Sequence, residues 1–185
     1  MVTASIIHLL KSLISQNRLE HSINVANLAK KLAIHYDSDP EQAYSAGLIH
    51  DCAKDLDPQH PSISFSEQET DLYQDFPAIW HAIVLEKVSS FYFPSIDRSI
   101  ASAAKWHSTG TADMSLLAKL IFVADYIEPS RGFPDRASLY DLAFNDLNCC
   151  VFEIARSSLF YLLSQKVSIY NELLHCYNFY HQYKT

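Results

Sequence analysis

Residues 46–54 read AGLIHDCAK and place the imidazole of His50 beside the carboxylate of Asp51 near the predicted end of a helix. Neighbouring side chains on a helix point about 100° apart. His50 and Asp51 can therefore share one cation only if further ligands approach from other segments. Ala46 and Gly47 fall on the same helical face as His50, and such small residues permit the close packing of another helix.

Residues elsewhere in the chain offer the missing ligands. They are His21, His81, His107 and Asp125. Asp125 lies in the apolar segment LLAKLIFVADYI, where an unpaired carboxylate would be costly to bury. A metal ion would compensate this charge, and an ion pair with Lys119 or a backbone cap is the alternative.

The sequence favours an all-α fold, because it has only 3 glycines in 185 residues and its apolar residues recur at helical spacing. We predict a bundle of about nine helices in a single domain, residues 1–185. Its core spans about 16–130, and C-terminal helices at about 136–183 pack on it. Helix starts are predicted at Asp39-Pro40, Ser64 or Ser66, Phe76-Pro77, Asp97 and Ser115. The helix that begins at Pro77 is expected to run to the break at Phe93-Pro94.

Charge and hydropathy exclude several classes of protein. The formal net charge is -7 and there is no run of Lys or Arg, which argues against nucleic acid or an anionic membrane as a partner. No apolar stretch approaches the length of a membrane span, and the N-terminus lacks the basic leader of a signal peptide. The four cysteines show no paired spacing and are expected to be reduced core residues. We therefore expect a cytoplasmic protein.

An isolated His, a His-Asp doublet and a later Asp, in this order, resemble the signature of the HD-domain superfamily of metal-dependent phosphohydrolases. Three segments make the resemblance closer: GLIHDCAK around the doublet, HSTG at 107–110 and ADYIEPSRGFP at 124–134. Together they are similar to the YqeK-type branch, the symmetrical diadenosine tetraphosphate hydrolases of bacteria. The match covers nearly the whole chain. Ala82 departs from the glycine expected after His81, Leu85-Glu86 replaces a small pair, and HSTG replaces the commoner HTTG.

The resemblance implies an HD-domain helical bundle with a dinuclear metal centre. It assigns His21, His50, Asp51 and Asp125 to one metal ion. It assigns His81, His107 and a bridging Asp51 to the other. Iron is the metal that the family implies, and the resemblance is compatible with a homodimer.

The chemistry of the side chains supports a metal centre independently of the resemblance. Mixed imidazole and carboxylate ligands suit iron, manganese or zinc better than magnesium or calcium. A hydroxide bridging two metal ions is available near neutral pH, and the cations offset charge that develops on phosphoryl oxygens. For diadenosine tetraphosphate, attack at a central phosphorus would release two ADP, which is the outcome that the family implies. We assign the catalytic roles to Asp51 and Lys54.

A polyphosphate substrate needs positive charge beyond the metals. Arg18, Lys54 and Arg131 lie close in sequence to the expected ligands and are assigned to substrate binding, although each also fits an ordinary surface cation. The loop residues Ser108, Thr109 and Gly110 are expected to present hydroxyl and backbone N–H groups to phosphate oxygens.

Other interpretations stay open at this point. The same metal chemistry would serve a nucleoside monophosphatase or a cyclic-nucleotide phosphodiesterase. A metal-binding nucleotide sensor with little turnover and a di-iron oxygenase are further alternatives. Glu128 either orients its loop or holds a ligand histidine. Tyr126 and the C-terminal tyrosines are assigned to core and groove packing, and the remaining histidines to structural or solvent-facing positions.

Overall fold

The computed structural model describes residues 2–184, and all of the regular structure within them is helical. Eleven α-helices and two short 3-10 helices follow one another in this range. The α-helices are α1 (Val2–Leu13), α2 (Gln16–His35), α3 (Pro40–Ile49), α4 (Glu67–Asp75), α5 (Pro77–Ile83), α6 (Leu85–Tyr92), α7 (Arg98–Ala104), α8 (Leu116–Ile127), α9 (Arg136–Asn145), α10 (Leu147–Gln165) and α11 (Asn171–Tyr180). The 3-10 helices are Lys105–His107 and His181–Tyr183.

The predicted helix caps are largely confirmed. Asp39, Asp97 and Ser115 accept backbone N–H groups in the first turns of α3, α7 and α8. Ser66, rather than Ser64, caps α4, and its reciprocal contacts with Glu69 form a capping box. The all-α class is therefore supported by the local chemistry of helix starts as well as by periodicity.

The predicted number of about nine helices was too low. The expected single helix from Pro77 to Phe93 is two helices, because the chain leaves α-helical geometry at Val84 before α6 begins. The C-terminal region divides into three α-helices at Asp146 and at the segment 166–170. Apolar periodicity continues across these breaks, which is why the sequence did not show them.

Four helices, α2, α3, α7 and α8, pack against one another and form the centre of the molecule. Helix α8 is apolar on most of its surface and is buried along most of its length. Helices α9 and α10 pack on this centre through α2 and α8, α11 packs on α10, and all four cysteines are buried. No helix within residues 2–184 has the length and apolarity needed to cross a membrane.

The contact between α2 and α3 is the most extensive helix pair and depends on Gly47. A Cβ atom at Gly47 would lie 2.5 Å from the backbone Cα of Ala26, a separation that requires the two helices to move apart. This close approach sets the distance between His21 on α2 and His50 at the end of α3.

Replacing Gly47 with alanine is expected to destabilise the protein by about 1–3 kcal/mol, because overpacking outweighs the higher helix propensity of alanine. Chemical denaturation of Gly47→Ala, beside the exposed control Gln42→Ala on the same helix, measures this change. Equal or greater stability of Gly47→Ala would show that α2 and α3 do not meet as described.

Candidate metal centre

The fold brings all six expected metal ligands into one cluster. Their positions are His21 on α2, His50 and Asp51 at the end of α3, His81 on α5, His107 on the first 3-10 helix and Asp125 on α8. The four central helices thus supply five of the ligands directly or from the residues that follow them. Helix α5 packs on the 3-10 helix and adds the sixth.

The first group of ligand atoms surrounds His21. The Nε2 atom of His21 lies 3.2 Å from Nε2 of His50 and 3.0 Å from Oδ1 of Asp125. Asp51 approaches the same group with its Oδ2 atom, which lies 3.5 Å from Nε2 of His50 and 3.7 Å from Nε2 of His21.

The second group forms around the other oxygen of the same carboxylate. Oδ1 of Asp51 lies 3.0 Å from Nε2 of His81 and 3.5 Å from Nε2 of His107. The two imidazole nitrogens are 3.0 Å apart. Asp51 therefore connects two clusters of nitrogen ligands through its two oxygen atoms.

These separations fit bound transition metals. Two ligand atoms that each lie about 2.1 Å from one ion are separated by about 3.0–3.4 Å in octahedral or tetrahedral geometry. The nearest separations within each group agree with this range. The cluster is compatible with a dinuclear metal site.

Three histidines are held in a defined tautomer by hydrogen bonds of their second ring nitrogen. Nδ1 of His50 donates to the carbonyl of Gly47 at 2.7 Å, and Nδ1 of His107 donates to the carbonyl of Ala104 at 2.9 Å. Nδ1 of His21 contacts Oε1 of Glu128 at 3.2 Å. In a neutral ring this leaves an Nε2 lone pair directed into the cluster, so a proton or a metal cation must lie between the facing nitrogens.

Glu128 is fully buried and performs both of the functions considered for it from the sequence. Its carboxylate holds His21 and also accepts the backbone N–H of Ser130 at 2.7 Å and the Ser130 hydroxyl. Burial raises the pKa of Glu128, but the hydrogen bonds from Ser130 and His21 outweigh it and the pKa is lowered. The contact of Ser130 was not predicted from the sequence. The only signal for it there is that Ser130 follows Glu128 by two residues.

The electrostatics of the cluster favour a cation. Burial raises the pKa of Asp51, but the imidazoles of His50, His107 and His81 outweigh it and hold that pKa well below its usual range. Burial lowers the pKa of His50, yet the carboxylates of Asp51 and Asp125 raise it overall. For His81 burial dominates and lowers the pKa to about 4, so this ring is neutral at pH 7 and free to ligate a metal.

The three predicted phosphate-binding cations all lie beside the cluster. Arg18 donates to Oδ2 of Asp51 at 2.8 Å, and Arg131 donates to Oδ1 of Asp125 at 2.8 Å. Lys54 donates to the carbonyl of Ala78 at 3.2 Å, and its Nζ lies 3.3 Å from Nδ1 of His81. Burial, with Arg18 and Arg131 acting in the same direction, lowers the pKa of Lys54 against the opposing charges of Asp51 and Asp125.

The alternative partner for Asp125 is wrong. Lys119 donates to Oδ1 of Asn148 at 3.0 Å, whereas Asp125 contacts His21 and Arg131. The reason is that residues six apart on a helix lie about 240° apart around its axis, so Lys119 and Asp125 leave α8 on different faces.

The loop after His107 approaches the cluster mainly through Ser108, whose hydroxyl lies 2.9 Å from Nε2 of His107. The Thr109 hydroxyl donates to the carbonyl of Gly110, and the Gly110 N–H donates to the carbonyl of Trp106 at 2.8 Å. Gly110 has a φ of 62°, and a Cβ there would lie 2.5 Å from Sγ of Cys176. Of the three, the structure brings Ser108 to the cluster and gives Thr109 and Gly110 contacts within the loop itself.

Comparison with known proteins places this cluster in a family. The HD domain family model matches residues 18–130. The chain is 33% identical over 176 residues to the symmetrical bis(5'-nucleosyl)-tetraphosphatase of Staphylococcus aureus, covering 93% of this chain and 91% of that protein. It is 29% identical over 170 residues to the protein of the same name from Bacillus subtilis, covering 91% of both.

A solved structure supports the same conclusion for the whole fold. A predicted HD superfamily hydrolase involved in NAD metabolism from Clostridium acetobutylicum matches with a TM-score of 0.82 and 26% identity, over 98% of both chains. The all-α bundle inferred from the sequence is confirmed. Because the family model spans more than half of the chain and includes five segments that carry the six clustered side chains, this protein belongs to the HD domain family.

Proposed function

We propose that this chain is a metal-dependent hydrolase that cleaves diadenosine tetraphosphate symmetrically into two ADP. Two matched relatives over most of the chain carry the name symmetrical bis(5'-nucleosyl)-tetraphosphatase. The single observation that carries the proposal is the position of Asp51, whose two carboxylate oxygens each face a separate group of histidine nitrogens.

In this proposal His21, His50, Asp51 and Asp125 would hold one metal ion. Asp51, His81 and His107 would hold the other. We propose iron as the native metal because the family resemblance implies it; the mixed nitrogen and oxygen ligands suit iron, manganese or zinc, so manganese or another divalent transition metal is expected to substitute. When bound, such a pair supplies a hydroxide nucleophile near neutral pH and offsets negative charge on the phosphoryl oxygens.

The surrounding cations are proposed to hold the phosphate chain. Arg18 and Arg131 each use N–H groups on a ligand carboxylate, and a guanidinium has five N–H donors, so further donors remain for phosphate oxygens. Their side chains are 32% and 42% exposed, which leaves them accessible to a substrate. Lys54 lies beside His81 and is proposed to contact the phosphoryl group under attack. Ser108 would donate its hydroxyl to a neighbouring oxygen.

The reaction predicts a defined product and a defined dependence on Asp51. The chain loaded with Mn²⁺ or Fe²⁺ is expected to convert diadenosine tetraphosphate to ADP alone, as resolved by chromatography. Asp51→Asn is expected to lower the rate by at least about 100-fold, since it removes the bridging carboxylate, whereas the exposed control Asp71→Asn retains activity.

Appearance of ATP plus AMP would contradict the symmetrical reaction. Release of phosphate from AMP, or opening of a cyclic nucleotide, without cleavage of the dinucleotide would instead support the alternative phosphohydrolase functions.

The contact between Glu128 and His21 predicts a second effect, on metal affinity. Glu128→Gln is expected to weaken metal binding by about 10- to 100-fold. The variant replaces the anionic carboxylate that accepts the His21 N–H with a neutral amide, which holds the imidazole less strongly. Competition with a coloured chelator measures the affinity, and Glu153→Gln, whose carboxylate pairs with Arg156 on α10, serves as the control. Unchanged affinity in Glu128→Gln would contradict the proposed role of Glu128 in supporting His21 as a ligand.

A further inference from the structure

A cavity of about 440 Å³ adjoins the cluster at its His81 and His107 end. It lies between the start of α5, the loop at Ser108, the end of α8 and the connection from α10 to α11. This volume is within the range of small-molecule binding sites, about 300–1,000 Å³.

Two contacts connect the cavity directly with the proposed metal ligands. Ser108 lines the cavity, and its hydroxyl lies 2.9 Å from Nε2 of His107. Ala78 also lines it, and the carbonyl of Ala78 accepts a hydrogen bond from Lys54, whose Nζ is 3.3 Å from His81. A ligand in the cavity would therefore be separated from the clustered side chains by no more than one residue.

The walls of the cavity suit a flat, uncharged ring. Four aromatic residues contribute to them: Phe76, Tyr126, Tyr161 and Tyr170. Phe76 and Tyr170 pack edge to face with ring centroids 5.2 Å apart, so this wall is fixed by its own contacts. Among the described residues that line the cavity, Asp75 carries the only charge, so the lining has no cation for a phosphate.

The opposite end of the cluster has a different chemistry. An open groove there is lined by Arg18, His21, Glu128, Ser130 and Arg131, with Ser15 and Asn17 beside them. Polar and cationic side chains in this groove suit phosphate oxygens, and its described lining contains no phenylalanine, tyrosine or tryptophan. The two ends of the cluster therefore present unequal sites to a substrate whose two halves are identical.

We infer that the aromatic cavity binds the base of one nucleoside of the substrate, with the ring of Tyr161 stacking at its mouth. The inference rests on the proposed function. The phosphate chain would pass from the cavity over the cluster toward the arginine groove, whose described lining offers no phenylalanine, tyrosine or tryptophan to the second nucleoside. Tyr161 and Val167 support this role because both line the cavity yet are 64% and 51% exposed, an arrangement typical of a ligand-binding rim.

Tyr161 permits a test that does not depend on protein stability, because its side chain lies outside the core. Phe160 provides a matched control: it is adjacent on α10, aromatic and 65% exposed, and it does not line the cavity. Tyr161→Phe retains the stacking ring and serves as the conservative variant.

The experiment measures binding of ADP and of inorganic tripolyphosphate to the full chain loaded with Mn²⁺, together with kcat and KM for diadenosine tetraphosphate. Tyr161→Ala is expected to weaken ADP binding on the order of 10-fold, the size of a lost base–aromatic stack, while tripolyphosphate binds as before. The loss of hydrolytic efficiency should appear as a higher KM more than as a lower kcat. Tyr161→Phe and Phe160→Ala should bind ADP like the unaltered chain.

The outcomes separate this inference from the proposed function. If the chain cleaves the dinucleotide but Tyr161→Ala binds ADP normally, or loses ADP and tripolyphosphate equally, the base site is overturned and the hydrolase stands. If the dinucleotide is not cleaved but ADP binding depends on Tyr161 as described, the base site stands and the proposed reaction fails. Absence of ADP binding by the unaltered chain would overturn the base site.

Discussion

The carboxylate of Asp51 is the interaction on which the rest of the site depends. It is 2% exposed, and a buried carboxylate is costly unless positive or hydrogen-donating groups surround it. Here both oxygens have such partners, with His81 and His107 on one side and His21, His50 and Arg18 on the other. A single negative group thereby faces two groups of ligand atoms, an arrangement that is compatible with a dinuclear metal site and suited to chemistry on a polyphosphate.

The fold serves this arrangement through short, specific contacts of the backbone. Gly47 lets α3 approach α2, and its carbonyl also fixes the ring of His50. The carbonyl of Ala104 fixes His107 in the same way, and Glu128, at the end of α8, fixes His21 on α2. Because the six side chains belong to helices of one packed core or to the residues that follow them, the packing of that core fixes their relative positions.

The six side chains that the structure brings together were all named from the sequence, because the His-Asp doublet needs further ligands and the resemblance to the HD-domain superfamily pointed to His21, His81, His107 and Asp125. Sequence reasoning did not find the break at Val84, and it expected several C-terminal helices without locating the breaks between them, since apolar periodicity continues through these positions. The aromatic cavity was also not predicted from the sequence. Phe76, Tyr126 and Tyr161 are far apart in the chain, and the tertiary arrangement of α5, α8 and α10 brings them together around one cavity. Gly110 was assigned to phosphate binding because of its position in the loop. Its positive φ, and the closeness of Cys176 Sγ to the place where a Cβ would stand, also explain on packing grounds why a glycine fits here.

The most direct test of the central claim is anomalous X-ray diffraction from crystals of this protein grown with Mn²⁺. The account predicts two metal peaks about 3.5–4 Å apart, one on each side of the Asp51 carboxylate. One peak should lie among His21, His50 and Asp125, and the other between His81 and His107. A single peak, or two peaks that do not share Asp51, would contradict the bridged centre.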